Sequence, residues 1–224
     1  LAVAELVIGM MICLDRNIAD NVSDLRNGVW NKKKYSQSRG LCGQNLGILG
    51  LGAIGMAVAE RARAFGMGIF AVRKEGRDEA TIARMQALGI TELESTEALL
   101  GQCDVVSLHL PANDQTRGMV NSAFLGQMKP GAMLINSSRG ELVDEPALLE
   151  AMETRGIRAG LDVFDDEPTS GEGNFNSTIA AHPAVCGTHH IGASTAQAQT
   201  AVADGVINVI QAFVNGEVLN CVNS

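Results

Sequence analysis

The sequence predicts an α/β fold, in which a doubly wound parallel sheet of about six strands or more carries helices on both faces. Three observations lead to this prediction. From residue 44 onward, short apolar runs alternate with helical patterns, as in successive βαβ units. Apolar runs of this kind are typical of strands that are buried on both faces. A glycine-rich turn joins the first run to the first helix, where such folds bind phosphate groups.

The elements follow from these patterns in chain order. Strands are predicted at 45–50, 67–72, 104–108, 131–136, 157–163 and 185–188. Helices are predicted at 53–65, 77–88, 94–101, 120–128, 144–155 and 194–215. Two helices that break near 17–20 precede them, and the first is expected to be buried because its apolar stretch is too short to span a membrane. One domain, 1–224, then comprises entry helices 1–28, a loop 29–43, a Rossmann core 44–193 and a return helix with tail 194–224.

The glycine run indicates what the domain binds. Gly50, Gly52 and Gly55 form a G-x-G-x-x-G between the first strand and the helix that begins at Ala53 and Ile54. The first glycine permits the tight turn, the second lets the backbone approach a pyrophosphate, and the third lets helix and strand pack closely. The helix N-terminus offers unpaired N–H groups to the phosphates. We therefore predict a dinucleotide site at these five residues.

One part of the dinucleotide pattern is missing. An Asp or Glu is expected about 20 residues after the glycines, where it binds the ribose hydroxyls. Arg73 stands there instead, followed by Lys74. A guanidinium can hold the 2′-phosphate of NADP, so the sequence favours NADP slightly over NAD. The alternative, in which Arg73 stacks on the adenine of NAD, stays open.

Composition and charge exclude several classes of protein. The net charge of −8 argues against nucleic acid as a partner, and 46% hydrophobic residues allow a large core. No membrane span is predicted. The 5 cysteines show no C-x-x-C spacing, so we predict reduced thiols, no metal site and a cytoplasmic protein.

Three predicted strands end in polar residues. Arg139 follows the fourth strand, Asp162 lies in the fifth and leads to Glu167, and His190 follows the sixth. The carboxyl ends of parallel strands meet at the edge where such folds bind ligands. Reduction of a 2-oxo acid needs these groups: a guanidinium for the carboxylate, an imidazole to protonate the carbonyl oxygen, and a carboxylate to favour the charged imidazole.

Four stretches resemble the cofactor-binding domain of the D-isomer-specific 2-hydroxyacid dehydrogenases. They read LGILGLGAIG at 46–55, MLINSSRGELVDE at 133–145, GLDVFDDEP at 160–168 and THHIGASTAQ at 188–197. The Gly-Ala-Ser-Thr at 192–195 is typical of the members that oxidise 3-phosphoglycerate in serine biosynthesis. The resemblance implies an NAD(P)-dependent oxidoreductase that interconverts a 2-hydroxy acid and its 2-oxo acid, with 3-phosphoglycerate as the leading candidate.

The resemblance also implies roles for single residues. Arg139 would bind the substrate carboxylate and carbonyl, His190 would be the general acid, and Glu167 would hydrogen-bond His190. The two aspartates before Glu167 compete for that last role. His189 stands where the family usually has Pro and receives no catalytic role. Residues expected to line the cofactor are Leu110, Ser137, Ser138 and Asp162.

The resemblance bears on assembly and on alternative functions as well. Since a substrate domain precedes the first crossing helix in this family, we expect that domain to be absent from the 224 residues. A homodimer is expected through the first helices and the loop around Trp30. A glyoxylate or hydroxypyruvate reductase, which suits Arg73, stays open, as does a dinucleotide-sensing scaffold like the corepressors that resemble this family.

Overall fold

The sheet runs through the centre of the domain. A computed structural model describes residues 1–219. The strands are β1 (Asn45–Leu49), β2 (Gly68–Val72), β3 (Thr91–Leu93), β4 (Val105–Leu108), β5 (Met133–Asn136), β6 (Arg158–Leu161) and β7 (Val185–Gly187). The helices are α1 (Ala2–Arg16), α2 (Ile18–Arg26), α3 (Ala53–Ala64), α4 (Glu79–Leu88), α5 (Thr96–Gln102), α6 (Ser122–Gln127), α7 (Glu145–Arg155) and α8 (Ala196–Val214).

The order of the strands confirms the doubly wound fold. Within residues 1–219 the sheet has seven strands in the order β3-β2-β1-β4-β5-β6-β7, and each neighbouring pair is parallel. The chain moves outward from β1 to β3, then crosses to β4 and moves outward the other way. The switch point between β1 and β4 is where folds of this type bind their ligand.

Both faces of the sheet are covered, as the apolar runs predict. Along β4, Val105 packs into a core cluster with α1 and α3, whereas Val106 and Leu108 pack into a second cluster with α5, α6 and α7. β5 alternates in the same way, with Met133 on the first side and Leu134 on the second. Strands that bury both faces carry continuous apolar sequence.

The structure adds a strand that the sequence prediction missed. β3 has only three residues, two of them exposed, and it sits at the edge of the sheet, paired with β2. No hydrophobic run marks it, since its place depends on backbone hydrogen bonds. The other predicted boundaries are within two residues of the observed ones. α4 and α8 begin later than predicted because Asp78 and Thr195 cap them.

The entry helices break where the pattern predicts. Asn17 adopts a left-handed backbone with φ 48° and ends α1. α1 then buries one face, including Val7 and Met11, against the sheet and α3. Among residues 1–219, no helix combines the length and apolar character needed to cross a bilayer.

A glycine lets α1 approach the sheet closely. A Cβ at Gly160 in β6 would lie 3.0 Å from Met10 Cβ and 2.9 Å from Ile135 Cδ1. We expect Gly160→Ala to lower the free energy of unfolding by about 1–3 kcal/mol, because an extra methyl overpacks this contact. Urea unfolding measures the change.

The matched control is Gly126→Ala, because Gly126 lies in α6 with no atom of the described residues within 4 Å of its Cβ position. It should stabilise the domain by about 0.5–1 kcal/mol, since alanine favours helix. Equal urea midpoints of unfolding for Gly160→Ala and Gly126→Ala would contradict the close contact of α1 with β6.

Candidate active site

The glycine turn is shaped by two backbone contacts and one open space. Gly50 has φ +101°, and a Cβ there would overlap the carbonyl of His109 after β4. A Cβ at Gly55 would overlap the carbonyl of Gly50. At Gly52, by contrast, a Cβ would meet no atom of the described residues within 4 Å. The backbone therefore requires the first and third glycines, while the second keeps a space clear above the turn.

The N-terminus of α3 faces this space without a cap. α4, α5, α6, α7 and α8 each have an N-cap side chain that accepts a backbone N–H. Among the described residues, no side chain caps α3 at Gly52, and its first turn contains no acidic residue. Ala53 and Ile54 are exposed there, and Leu110 Cδ2 lies 3.2 Å from the Cβ position of Gly50. These residues fit the pyrophosphate of a dinucleotide, since free N–H groups and the helix dipole attract an anion.

The end of β2 presents cations. Arg73 follows β2, and its guanidinium is exposed and paired with Glu94, at 2.8 Å from Nη1 to Oε1. Glu94 follows the unpredicted strand β3, so sequence reasoning overlooked it. The acid that usually binds the ribose hydroxyls is replaced by arginine at this position.

A buried amide shapes the turn after β5. Asn136 is fully buried, and its Nδ2 donates to the carbonyl of Arg139 at 2.8 Å while its Oδ1 accepts from Ser138 N at 3.1 Å. Ser138 Oγ donates to the carbonyl of Leu108 at 2.6 Å, which ties this turn to β4. Ser137 Oγ is buried without a partner among the described residues. An Asn side chain that accepts from the backbone N–H two residues on is common in turns.

Arg139 leaves this turn toward solvent. Its side chain is exposed, and Nη1 donates to the carbonyl of Ser138 at 2.6 Å. A Cβ at Gly140 would overlap the backbone of Phe164 and Asp165. The Arg139 turn therefore lies directly against the segment that leads from β6 to Glu167.

Asp162 holds the segment that carries His190. Its side chain is 1% exposed. The carboxylate accepts hydrogen bonds from Thr188 Oγ1 at 2.6 Å, Ile191 N at 2.8 Å and Gly192 N at 2.8 Å. Its carbonyl also accepts from His190 N at 2.8 Å. The sequence predicted Asp162 beside the cofactor, and the structure places its carboxylate beneath the His190 turn.

His190 and Glu167 form a hydrogen-bonded pair. His190 has a left-handed backbone with φ 51°, and its Nδ1 lies 2.7 Å from Glu167 Oε1. Because a carboxylate only accepts, the proton of this bond sits on Nδ1, and Nε2 is left for another partner. Among the described residues, Glu167 is therefore the carboxylate of the 165–167 cluster that contacts the imidazole.

The remaining histidines have other surroundings. Burial lowers the pKa of His109 to about 4, so this ring is neutral at pH 7, and it lies 2.9 Å from Ser107 Oγ. His182 contacts Glu153 at 2.9 Å and precedes β7, at the opposite end of that strand from His190. His189 is exposed and helps line a cavity of about 630 Å³ beside Glu167 and His190. Across the part of the chain that the structure describes, no three His, Cys, Asp or Glu side chains cluster as metal ligands.

Known proteins are similar to this chain in both sequence and fold. Residues 8–192 match the family model for the D-isomer specific 2-hydroxyacid dehydrogenase, NAD binding domain. A D-3-phosphoglycerate dehydrogenase of Methanocaldococcus jannaschii is 35% identical over 100% of this chain and 41% of its own length. A hydroxypyruvate reductase of Thermotoga maritima is 37% identical over 90% of this chain and 62% of its own length.

A solved structure gives the same result. The glyoxylate reductase from Paecilomyes thermophila superposes with a TM-score of 0.85 and 33% identity, over 99% of this chain and 65% of that one. The chain thus spans between about two fifths and two thirds of the length of these relatives. It belongs to the D-isomer-specific 2-hydroxyacid dehydrogenase family and corresponds to the NAD-binding domain of that family.

Proposed function

We propose that this domain is the cofactor-binding half of an NAD(P)-dependent oxidoreductase that interconverts a 2-hydroxy acid and its 2-oxo acid. The His190–Glu167 pair, 2.7 Å apart at the carboxyl edge of the sheet, carries the proposal. Arg139 follows the adjacent strand and adds an exposed guanidinium at the same edge. An acid–base group beside a cation suits a substrate with a carboxylate next to its reacting carbon.

The three side chains divide the chemistry. Arg139 binds the substrate carboxylate and orients the neighbouring carbonyl. Glu167 accepts a hydrogen bond from the Nδ1–H of His190, which keeps a proton on Nδ1 and leaves Nε2 for the substrate oxygen. During reduction the charged imidazolium form of His190 donates its Nε2 proton to that oxygen and becomes neutral, and during oxidation the neutral ring accepts the proton at Nε2. A nicotinamide cofactor, held at the glycine turn of Gly50, Gly52 and Gly55, would supply or take up the hydride.

The leading substrate is 3-phosphoglycerate, which would place the protein in serine biosynthesis. The Gly-Ala-Ser-Thr at 192–195 and the D-3-phosphoglycerate dehydrogenase relatives support this choice. Glyoxylate or hydroxypyruvate is the alternative, supported by Arg73 and by relatives with those activities in their names. Absorbance of the reduced nicotinamide, followed with each acid and both cofactors, separates the candidates. Dinucleotide binding without turnover of any of them would favour the sensing scaffold.

We infer a modest preference for NADP over NAD. Arg73 supports it, because its exposed guanidinium stands where NAD enzymes carry an acid. Lys74 is exposed beside it and adds a second positive charge. A 2′-phosphate would gain a charged hydrogen bond here, whereas a 2′-hydroxyl would gain less.

A homodimer through the entry helices is our proposal for assembly. Leu25 in α2 and Trp30 after it are 52% and 80% exposed, and large apolar side chains of this kind are enriched in interfaces. We also propose a reducing, cytoplasmic setting. The cysteines within the described residues, Cys13, Cys42, Cys103 and Cys186, are free thiols, while Cys221 lies outside those residues.

Replacing His190, the proposed general acid, or Arg139 should slow the reaction without weakening cofactor binding. In the full protein we expect His190→Ala and Arg139→Ala each to lower kcat/KM by about 10²–10⁴-fold. The dissociation constant of the dinucleotide should change less than twofold, because neither residue belongs to the glycine turn after β1. Steady-state kinetics and calorimetry provide the two readouts.

The adjacent histidine is the matched control. His189→Ala should retain most of the activity, because its ring makes no hydrogen bond among the described residues. If His189→Ala lost the rate while His190→Ala kept it, the assignment of the acid would be wrong.

Reversing the charge after β2 should reverse the cofactor preference. We expect Arg73→Asp to weaken NADPH binding about tenfold or more, since the 2′-phosphate loses a charged partner and meets a carboxylate. NADH should bind as well or better, because the new acid can accept from the ribose hydroxyls. Calorimetric titration measures both affinities. Arg84→Asp, at an exposed arginine of α4, is the control, and an unchanged ratio of affinities in Arg73→Asp would retire the NADP proposal.

A further inference from the structure

Two neighbouring strands place a carboxylate beside Arg73. β2 and β3 are parallel, with Val72 opposite Leu93, so the residues that follow leave the sheet side by side. The N–H of Arg73 donates to the carbonyl of Leu93 at 2.8 Å. Glu94 is the next residue after Leu93. The backbone therefore holds Arg73 and Glu94 next to each other at the edge where the adenosine end of a dinucleotide binds.

The two side chains form a close ion pair. Arg73 Nη1 lies 2.8 Å from Glu94 Oε1 and 3.0 Å from Oε2. The side chains are 58% and 74% exposed, so water reaches both and either can turn toward a ligand. The positive charge of Arg73 is already balanced by a carboxylate before an anion arrives.

The neighbouring Arg77 makes other contacts. Arg77 is 13% exposed at its side chain, donates to the carbonyl of Val72 at 2.9 Å and pairs with Glu92. Its guanidinium therefore braces the loop after β2. Arg73 is the arginine in this loop whose guanidinium remains accessible to a phosphate.

We propose that Glu94 is a selectivity residue for the cofactor, because it competes with the 2′-phosphate of NADP(H) for the guanidinium of Arg73. The inference rests on the proposed role of Arg73. A phosphate monoester carries nearly two negative charges at pH 7, so it is drawn to the guanidinium that the carboxylate of Glu94 already occupies. NAD(H) has a neutral hydroxyl at that position and does not meet this competition. Glu94 thus keeps the preference for NADP small.

Removing the charge of Glu94 tests this directly. We expect Glu94→Gln to tighten NADPH binding about threefold to tenfold at low ionic strength, with NADH within twofold, as measured by calorimetry. The gain should shrink in high salt, because exposed charges are screened. Glu60→Gln is the matched control, since Glu60 forms a similarly exposed pair with Arg84 at 3.7 Å. An unchanged NADPH affinity, or an equal shift in Glu60→Gln, overturns the proposal.

The same substitution in an Arg73→Gln variant distinguishes a failure of this inference from a failure of the cofactor proposal. In Arg73→Gln the competition is gone, so adding Glu94→Gln should no longer tighten NADPH by more than about twofold. A gain that persists there means that Glu94 acts without Arg73 and overturns the competition. If Arg73→Asp changes the preference and Glu94→Gln does not, only the role of Glu94 fails. If Arg73→Asp leaves the preference unchanged, the cofactor proposal itself fails.

Discussion

The buried carboxylate of Asp162 organises the carboxyl edge of the sheet, where we propose that the reaction takes place. It accepts hydrogen bonds from Thr188, Ile191 and Gly192, and these residues flank His190, whose backbone is left-handed. A non-glycine residue adopts that backbone only where its surroundings enforce it. Without this carboxylate the N–H of Gly192 would lose its partner in a buried place, at a cost of about 1–3 kcal/mol, and the part-buried donors of Thr188 and Ile191 would lose theirs. The pairing of His190 with Glu167 depends on this arrangement.

The parallel sheet positions the residues around Asp162. β5, β6 and β7 are neighbours, so Arg139, Glu167 and His190 leave the sheet at one edge. On the other side of the switch point, the uncapped N-terminus of α3 faces the space that Gly52 keeps clear. A single edge of the sheet therefore carries both the features proposed to bind the cofactor and the pair proposed to act on the substrate.

Much of this arrangement could be predicted from the sequence, because it depends on local patterns. Apolar runs marked six of the strands, and the glycine spacing marked the turn after β1. The sequence prediction missed β3 because an edge strand of three mostly exposed residues has no hydrophobic pattern. The ion pair of Arg73 with Glu94 was missed for the same reason, because the pairing of β2 with β3 brings together two residues that are 21 positions apart. The carboxylate of Asp162 could be placed at the edge, but its three partners depend on how the chain turns after β7.

A double-mutant cycle between Asp162 and His190 tests the central claim most directly. If Asp162 acts by positioning His190, Asp162→Asn lowers kcat substantially in the native background, because an amide cannot accept all three hydrogen bonds. In the His190→Ala background the same change should lower kcat by less than about twofold, since coupled residues are not additive. Full additivity of the two losses, or an unchanged kcat in Asp162→Asn alone, would contradict the account.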